Sequence, residues 1–526
     1  MSLQFIFGNS GSGKSHYLYQ QIVEESIRHP EKNYLVLVPE QFTMQTQKDL
    51  CMAHPRGGIM NIDVLSFGRL AHRVFEETGK ERQPILDDEG KNLVLRKIAG
   101  NYEDELTVLK GNLKKQGYIS EVKSVISEFT QYGIDFEQLD SFMEGLNPES
   151  YLYYKLKDIR KVYEGFEDYL RDKYITKEEL LDVLSQNVAE AKMLKDSVIA
   201  MDGFTGFTPV QNRLIGELLK VCDKIMLTVE IDRREDPFVY KHPYQLFALS
   251  KQMVTSLTEV AQEVKVEIDE PVWLCKNPPY RFKENPEMAF LEEELFRYSR
   301  RKYSGKKMQS ISLHEVHTPQ EEAQYVAEEI RRLVREEGYR YREIAVIASD
   351  LNTYADSLEK ACERYEIPVF MDHKKSILLN SFVEYLRSLL VMVEQNYTYE
   401  SVFRYLRTGL CGFTRDEVDR LENYCLALDL KGFKKWDQVW VRKTPMTKKE
   451  ELEELNQLRV RFVEKLTPLH TVLKKRRKTV KEITLAVYEY LVQEKIQEQL
   501  AELEQKFQEE GELALAKEYA QIYRIV

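Results

Sequence analysis

Gly8-Asn9-Ser10-Gly11-Ser12-Gly13-Lys14-Ser15 spells G-x-x-x-x-G-K-[ST], and it follows directly on an apolar run, Leu3 to Phe7. Glycines at these positions let successive backbone N–H groups converge on a phosphate, while the helix that follows aims its positive end at the same anion. Lys14 can then reach β- and γ-phosphate oxygens, and Ser15 can ligate Mg²⁺. Gly8, Ser10, Gly11, Ser12, Gly13, Lys14 and Ser15 are therefore the expected nucleotide-binding set, with ATP and Mg²⁺ as ligands. The competing reading, an adventitious Gly/Ser turn, lacks what the context supplies: a strand-like run before the motif and helix-compatible His16 to Val23 after it.

The surrounding chain repeats the same grammar. Tyr34 to Val38 and Ile62 to Leu65 are short apolar runs separated by amphipathic Gln45 to Met52, and the pattern returns at Ser197 to Asp202 and Ile225 to Val229. Strands and helices alternating in this way predict an α/β fold with a parallel sheet covered by helices. Between residues 83 and 193 the strand signal gives way to helical spacing, with Leu152, Leu156, Ile159, Tyr163, Phe166 and Leu170 stepping by three and four. The expected division is a first α/β domain at 1–80 and 194–232 interrupted by a helical insertion at 81–193. A connector at 233–309 is rich in proline and ends in the basic stretch Arg297 to Lys307, read as a solvated loop or as a DNA-backbone contact.

A second α/β unit is expected at 310–394, with strands at Ile311 to Val316 and at Ile344 to Ala348. Helices are expected at Glu321 to Glu336 and Leu351 to Tyr365, followed by a short extended segment, Ile367 to Phe370. A second helical insertion is expected at 395–526. It contains the densest basic run, Lys474 to Lys478, which reads first as a solvated helix face. The end of the chain at Tyr523-Arg524-Ile525-Val526 reads as a truncation.

Bulk properties narrow the function classes. The 526 residues suggest about three or four domains. A mean hydropathy of −0.48 without any apolar run long enough to span a bilayer argues against a membrane protein, and the cytoplasm is the expected compartment. A net charge of −11 argues against a generally basic nucleic-acid binder while leaving room for a local positive channel. Six scattered cysteines, without C-x-x-C or Cys/His spacing, read as reduced thiols.

A P-loop motor also needs an Asp at the end of a core strand to hold Mg²⁺, and usually a carboxylate beside it to orient water. Asp202 supplies the first, or else is a plain turn residue; the next position is Gly203, which can do neither job of a base. No catalytic residue for hydrolysis is therefore assigned. The segments Val38 to Thr43 and Leu65 to Arg73 sit where single-strand contacts are placed, after sheet strands. Phe67 offers a stacking face, Arg69 and Arg73 offer phosphate contacts, and Gln41 and Thr43 offer hydrogen-bonding groups. Phe204 to Pro209 adds a third loop.

Together FIFGNSGSGKS (5–15), VPEQFT (38–43), LSFGRLAHRVFEETG (65–79), MDGFTGFTP (201–209) and EEAQYVAEEIRRLVREEGYRYREIAVI (321–347) closely resemble AddB, the family of B subunits of the AddAB helicase-nucleases of Firmicutes. The resemblance runs in order across the whole chain. It implies two RecA-like P-loop domains of superfamily 1 helicase type, each interrupted by a helical insertion, in a complex that processes double-strand breaks for recombinational repair. It implies an AddA-type partner carrying the working motor, and contacts with single- and double-stranded DNA. It also implies that this chain scans the 3′ strand for the Chi hotspot through loops matching Gln41, Thr43, Phe67, Arg69, His72, Phe204 and Phe207. His72 departs from the pattern, in which a larger aromatic is expected. Ser349 stands where active motors carry a phosphate-contacting arginine, and neither a G-D-x-x-Q sensor near Val221 to Thr228 nor an adenine-binding glutamine segment before the P-loop strand is present. The family's nuclease domain and its [4Fe-4S] cluster are expected only beyond residue 526. The alternative function is a stand-alone P-loop ATPase or kinase acting on a small substrate, with Asp202 in its catalytic site.

Overall fold

The computed structural model describes residues 1–79, 84–113, 115–171, 173–305, 308–371, 376–443 and 449–526. The chain divides into two compact units, Met1–His314 and Glu315–Val526.

The first unit is built on a parallel sheet. Its strands are β1 (Ser2–Gly8), β2 (Tyr34–Leu37) and β3 (Ile62–Leu65), then, beyond a short pair β4 (Ile85–Leu86) and β5 (Ile175–Thr176), β6 (Val198–Met201), β7 (Lys224–Glu230), β8 (Glu267–Ile268) and β9 (Val272–Trp273). Their spatial order is β3-β2-β6-β7-β1-β8, with β9 also pairing with β1. β1 reads as continuous apolar sequence because both faces are covered. Leu3, Phe5 and Phe7 enter one core with Leu214 and Leu257, while Ile6 enters another with Leu18 and Ile22. The helices of this unit are α1 (Lys14–Arg28), α2 (Thr43–Ala53), α3 (Phe67–Thr78), α4 (Asp88–Asn101), α5 (Gln116–Tyr132), α6 (Phe136–Glu144), α7 (Tyr151–Leu170), α8 (Leu180–Asn187), α9 (Pro209–Leu219), α10 (Ala248–Glu263) and α11 (Pro286–Glu294). Because the strands are parallel, the P-loop, residues 38–43, 66–69 and 202–208 all leave the sheet at one edge.

Helices α4, α5 and α7 share a core of their own, formed by Leu95, Ile98, Ile126, Ile159, Val162 and Phe166 among others. β4 and β5 pair in parallel, Ile85 with Ile175, and so clasp the two ends of this helical segment together. Lys91, only 2% exposed, reinforces the clasp through Glu178 at 2.6 Å. The boundary expected between residues 80 and 81 lies outside the described residues, as do Lys306 and Lys307 of the basic stretch. The expected connector is not merely a linker: α10 buries Met253, Val254, Leu257 and Ala261 in the sheet's core, and β8 and β9 extend the sheet.

In the second unit, α12 (Pro319–Glu336) starts at a Thr318 cap and packs Ala327 and Ile330 against Cys362 of α13 (Leu351–Arg364) and Ile367. The strands expected at Ile311 to Val316 and Ile344 to Ala348 do not form: neither segment enters a β ladder among the described residues. The expected buried strand is instead largely open, with Ile347 94% exposed, and Phe370 of the third extended segment is 88% exposed. A parallel strand needs ladder partners and cover on both faces, and the described residues supply neither here. From α14 (Ser381–Glu394) onward the unit is helical to Leu513–Ile525, and one core joins Phe382 and Leu389 to Phe462 and Tyr490. No described helix is long and apolar enough to cross a membrane.

Candidate nucleotide site and the loops beside it

The P-loop is shaped by its glycines. A Cβ at Gly8 would run into Ser12 Oγ and the Leu274 carbonyl, and Gly11 and Gly13 have φ of +73° and +91°, where side-chain-bearing residues are strained. Ser12 N–H and Lys14 Nζ both donate to the Asn9 carbonyl, at 3.2 and 2.9 Å. Burial lowers the Lys14 pKa, an effect opposed by the carboxylates of Glu230 and Asp202. α1 has neither a side-chain N-cap nor an acidic residue in its first turn, so its leading N–H groups are left for an anion. Asn9 Oδ1 and Ser12 Oγ are buried without a hydrogen-bond partner among the described residues. An open helix start, a convergent lysine and orphaned polar atoms in the loop fit the phosphates of a nucleotide.

Asp202 stands at the end of β6, buried, with its backbone N–H on the Leu37 carbonyl. Its Oδ1 accepts from Ser15 Oγ at 3.1 Å and Thr228 Oγ1 at 2.5 Å, and its Oδ2 accepts from Tyr19 OH at 2.8 Å. Sequence reasoning brought Ser15 and Asp202 together as the magnesium-side pair, and the structure hydrogen-bonds them; it did not find Tyr19 or Thr228. The donor set, one serine hydroxyl beside one carboxylate, suits a cation that a nucleotide's phosphates help to hold. Gly203 has φ +78°. This backbone conformation disfavours any side chain at the position next to Asp202.

Three further groups border the loop and were not singled out from the sequence. Glu230 pairs in register with Gly8 at the end of β7. Arg281 N–H donates to the Gly11 carbonyl at 3.0 Å, and Asn9 Nδ2 donates to Glu292 of α11 at 2.9 Å. The stretch read as a connector therefore lines the phosphate loop. The triplet Tyr280-Arg281-Phe282 after paired prolines was the available signal, an aromatic and a cation fixed by a rigid turn.

The DNA-contact candidates divide by burial. Gln41 is exposed, but Thr43 is buried and its hydroxyl donates to the Glu40 carbonyl at 3.0 Å. Ser66 caps α3, and Arg69 and His72 lie on that helix's exposed face. Arg73 is ion-paired with Asp63 at 2.9 Å. Phe67 is only 7% exposed, which leaves no open face for a base; its ring lies 5.5 Å from Phe204 and 6.2 Å from Phe207. Phe204 and Phe207 are half-buried and 5.1 Å apart. A Cβ at Gly203 would lie 3.7 Å from the Phe42 ring, so the 38–43 and 202–208 loops lie side by side. The three loops thus form one patch, with Phe67 as its floor.

Parallel sheet and phosphate loop define a P-loop α/β protein, and a family model that matches it is of superfamily 1 helicase type. The family model described as "ADDB, N-terminal" matches residues 5–292, and that of the UvrD-like helicase C-terminal domain matches residues 285–526. The chain belongs to the AddB family. It is 40% identical to the B subunit of the ATP-dependent helicase/deoxyribonuclease of Lachnoclostridium phytofermentans, over 100% of this chain and 46% of that protein. It is 32% identical to the protein of the same name from Clostridium novyi (100% and 45%) and 34% identical to that from Caldanaerobacter subterraneus (100% and 46%). The chain spans about half the length of the curated relatives it matches.

Proposed function

We propose that this chain is the nucleotide-binding, strand-reading part of the B subunit of an ATP-dependent helicase-nuclease that processes double-strand breaks for recombinational repair. It binds ATP with Mg²⁺ through the P-loop, Ser15 and Asp202, and it turns the nucleotide over slowly or not at all. The observation that carries this reading is a complete phosphate cradle beside a carboxylate whose neighbour, Gly203, carries no base. In that reading translocation belongs to an AddA-type partner in a cytoplasmic heterodimer that engages single- and double-stranded DNA, while nuclease chemistry and the [4Fe-4S] cluster belong to residues outside this chain.

The loop patch scans the 3′ single strand for Chi. Gln41 and Arg69 present the exposed polar and cationic groups, Phe204 and Phe207 present ring surface, and His72 flanks them on α3. Phe67 and Thr43 support the patch from beneath, which is how their burial is best accommodated. Bases stack on aromatic surface while cations follow the backbone. Equilibrium binding of ATP-Mg²⁺ and of single-stranded oligonucleotides tests the proposal, with Lys14→Ala and Arg69→Ala alongside. Arg69→Ala is expected to weaken oligonucleotide binding and to lower its salt slope by about 0.7 while sparing ATP. Rapid, DNA-independent phosphate release that requires Asp202 would sink it.

A further inference from the structure

Ser15 and Tyr19 are four residues apart on α1, so they share one face of the helix, and both hydroxyls reach the same carboxylate. Thr228 arrives from β7, where the register pairs Met201 with Leu227 and so sets residues 202 and 228 side by side. Tyr19, Thr46, Asp202 and Thr228 are all buried. Tyr19 has a single hydroxyl hydrogen and gives it to Asp202 Oδ2, so in its 3.3 Å contact with Thr46 Oγ1 the threonine is the donor.

A carboxylate has about four acceptor positions. Two on Oδ1 are taken by Ser15 and Thr228, and one on Oδ2 by Tyr19, which among the described residues leaves a single open position on Oδ2. Two fixed hydroxyls on different elements hold the plane of the group, and that open position then has one direction. Without Tyr19, Oδ2 loses its anchor.

We propose that Tyr19 is a positioning residue for the magnesium-dependent part of nucleotide binding, acting through Asp202. This rests on the nucleotide-binding reading given above. Tyr19 touches neither the P-loop backbone nor Lys14 in any described hydrogen bond, so its effect is separable from phosphate capture.

The test is the affinity of the full chain for a fluorescent ATP analogue, measured with Mg²⁺ and again in EDTA, for the natural sequence, Tyr19→Phe and Thr228→Val. The expected result for Tyr19→Phe is a loss of roughly five- to tenfold with Mg²⁺ and a change within about twofold in EDTA. Thr228→Val, which removes the other fixed hydroxyl, is expected to show the same selective loss and secures the comparison should one variant fold poorly. Equal losses with and without Mg²⁺, or no loss in either variant, would overturn the role of Tyr19 while leaving nucleotide binding intact. Failure of the natural sequence to bind the analogue at all would overturn the nucleotide reading itself.

Discussion

Restoring a glutamate at position 203 should not restore a motor. Gly203 has φ +78°, a region that costs a side-chain-bearing residue about 1–2 kcal/mol. A Cβ there would meet Pro39 and Phe42 at 3.6 and 3.7 Å, which are ordinary contacts, so no clash adds to that cost. Gly203→Ala and Gly203→Glu are therefore expected to destabilise the first unit by the same amount, about 1–2 kcal/mol. A correctly placed general base is worth roughly 10²–10⁴-fold in rate. From a left-handed backbone the glutamate leaves the chain in a direction that an extended or helical residue would not share, and the expected gain in turnover is below about tenfold. Amide exchange at β6 and α1 reads the stability cost, and single-turnover phosphate release reads the rate. A Gly203→Glu protein as stable as the natural one, or one that releases phosphate more than about a hundredfold faster, would refute the reasoning.

Phe67→Ala should cost about 3–5 kcal/mol, since it empties a core position; Phe204→Ala should cost far less in thermal unfolding yet weaken oligonucleotide binding more. Lys14→Met should abolish nucleotide affinity while raising thermal stability at neutral pH. Burial holds the folded-state pKa of Lys14 below 10.5, so its charge disfavours folding below that folded-state value, and the penalty is relieved as pH rises from there through 10.5. Stability curves of the natural and Lys14→Met proteins should converge in that alkaline window. Glu167 in the helical segment is pushed up to about 7, chiefly by burial and then by Glu179. The folded state holds that proton more tightly than the unfolded, so stability is lost as pH climbs from about 4.5 to about 7. Glu167→Gln should flatten that loss and stabilise by roughly 1–2 kcal/mol at pH 8, after allowance for partial exposure, as read by urea unfolding.

The first unit was legible because its strands are covered on both faces and therefore read as unbroken apolar runs that end in loops with chemistry: Phe7 before the P-loop, Met201 before Asp202. The orientation of aromatic residues was legible too, but only to a reading of period. Phe67, Leu70, Ala71, Val74 and Phe75 follow helical spacing and are all buried, which marks Phe67 as floor and not as surface. The segment at 344–348 carries the same unbroken apolar signature as β2, while that at 311–316 mixes Ile311, Leu313 and Val316 with Ser312, His314 and Glu315. Composition says only that a strand could be buried there; it cannot supply the neighbours whose hydrogen bonds make it one. Residues 272–294 lie far from the P-loop in sequence and meet it partly through backbone, Arg281 N–H on Gly11, and partly through a lone polar pair, Asn9 with Glu292, neither of which forms a periodic pattern.

A cradle that holds ATP without cleaving it changes what the nucleotide's binding energy does. In a motor that energy is released each cycle; on the proposed reading it stays in the folded state, and at a hundredfold excess over the dissociation constant it would stabilise the nucleotide-bound fold by about 2.7 kcal/mol. That exceeds the cost estimated above for a side chain at Gly203. The stabilisation acts on elements that share the sheet edge with the loop patch: Asp202 immediately precedes Gly203 and Phe204, and Gly203 faces Phe42. ATP-Mg²⁺ should therefore slow amide exchange not only at α1 but through residues 202–208, and Lys14→Ala should abolish both effects together. Protection confined to the P-loop would separate the nucleotide from the loops proposed to read the strand and would leave the cradle without a structural consequence for them.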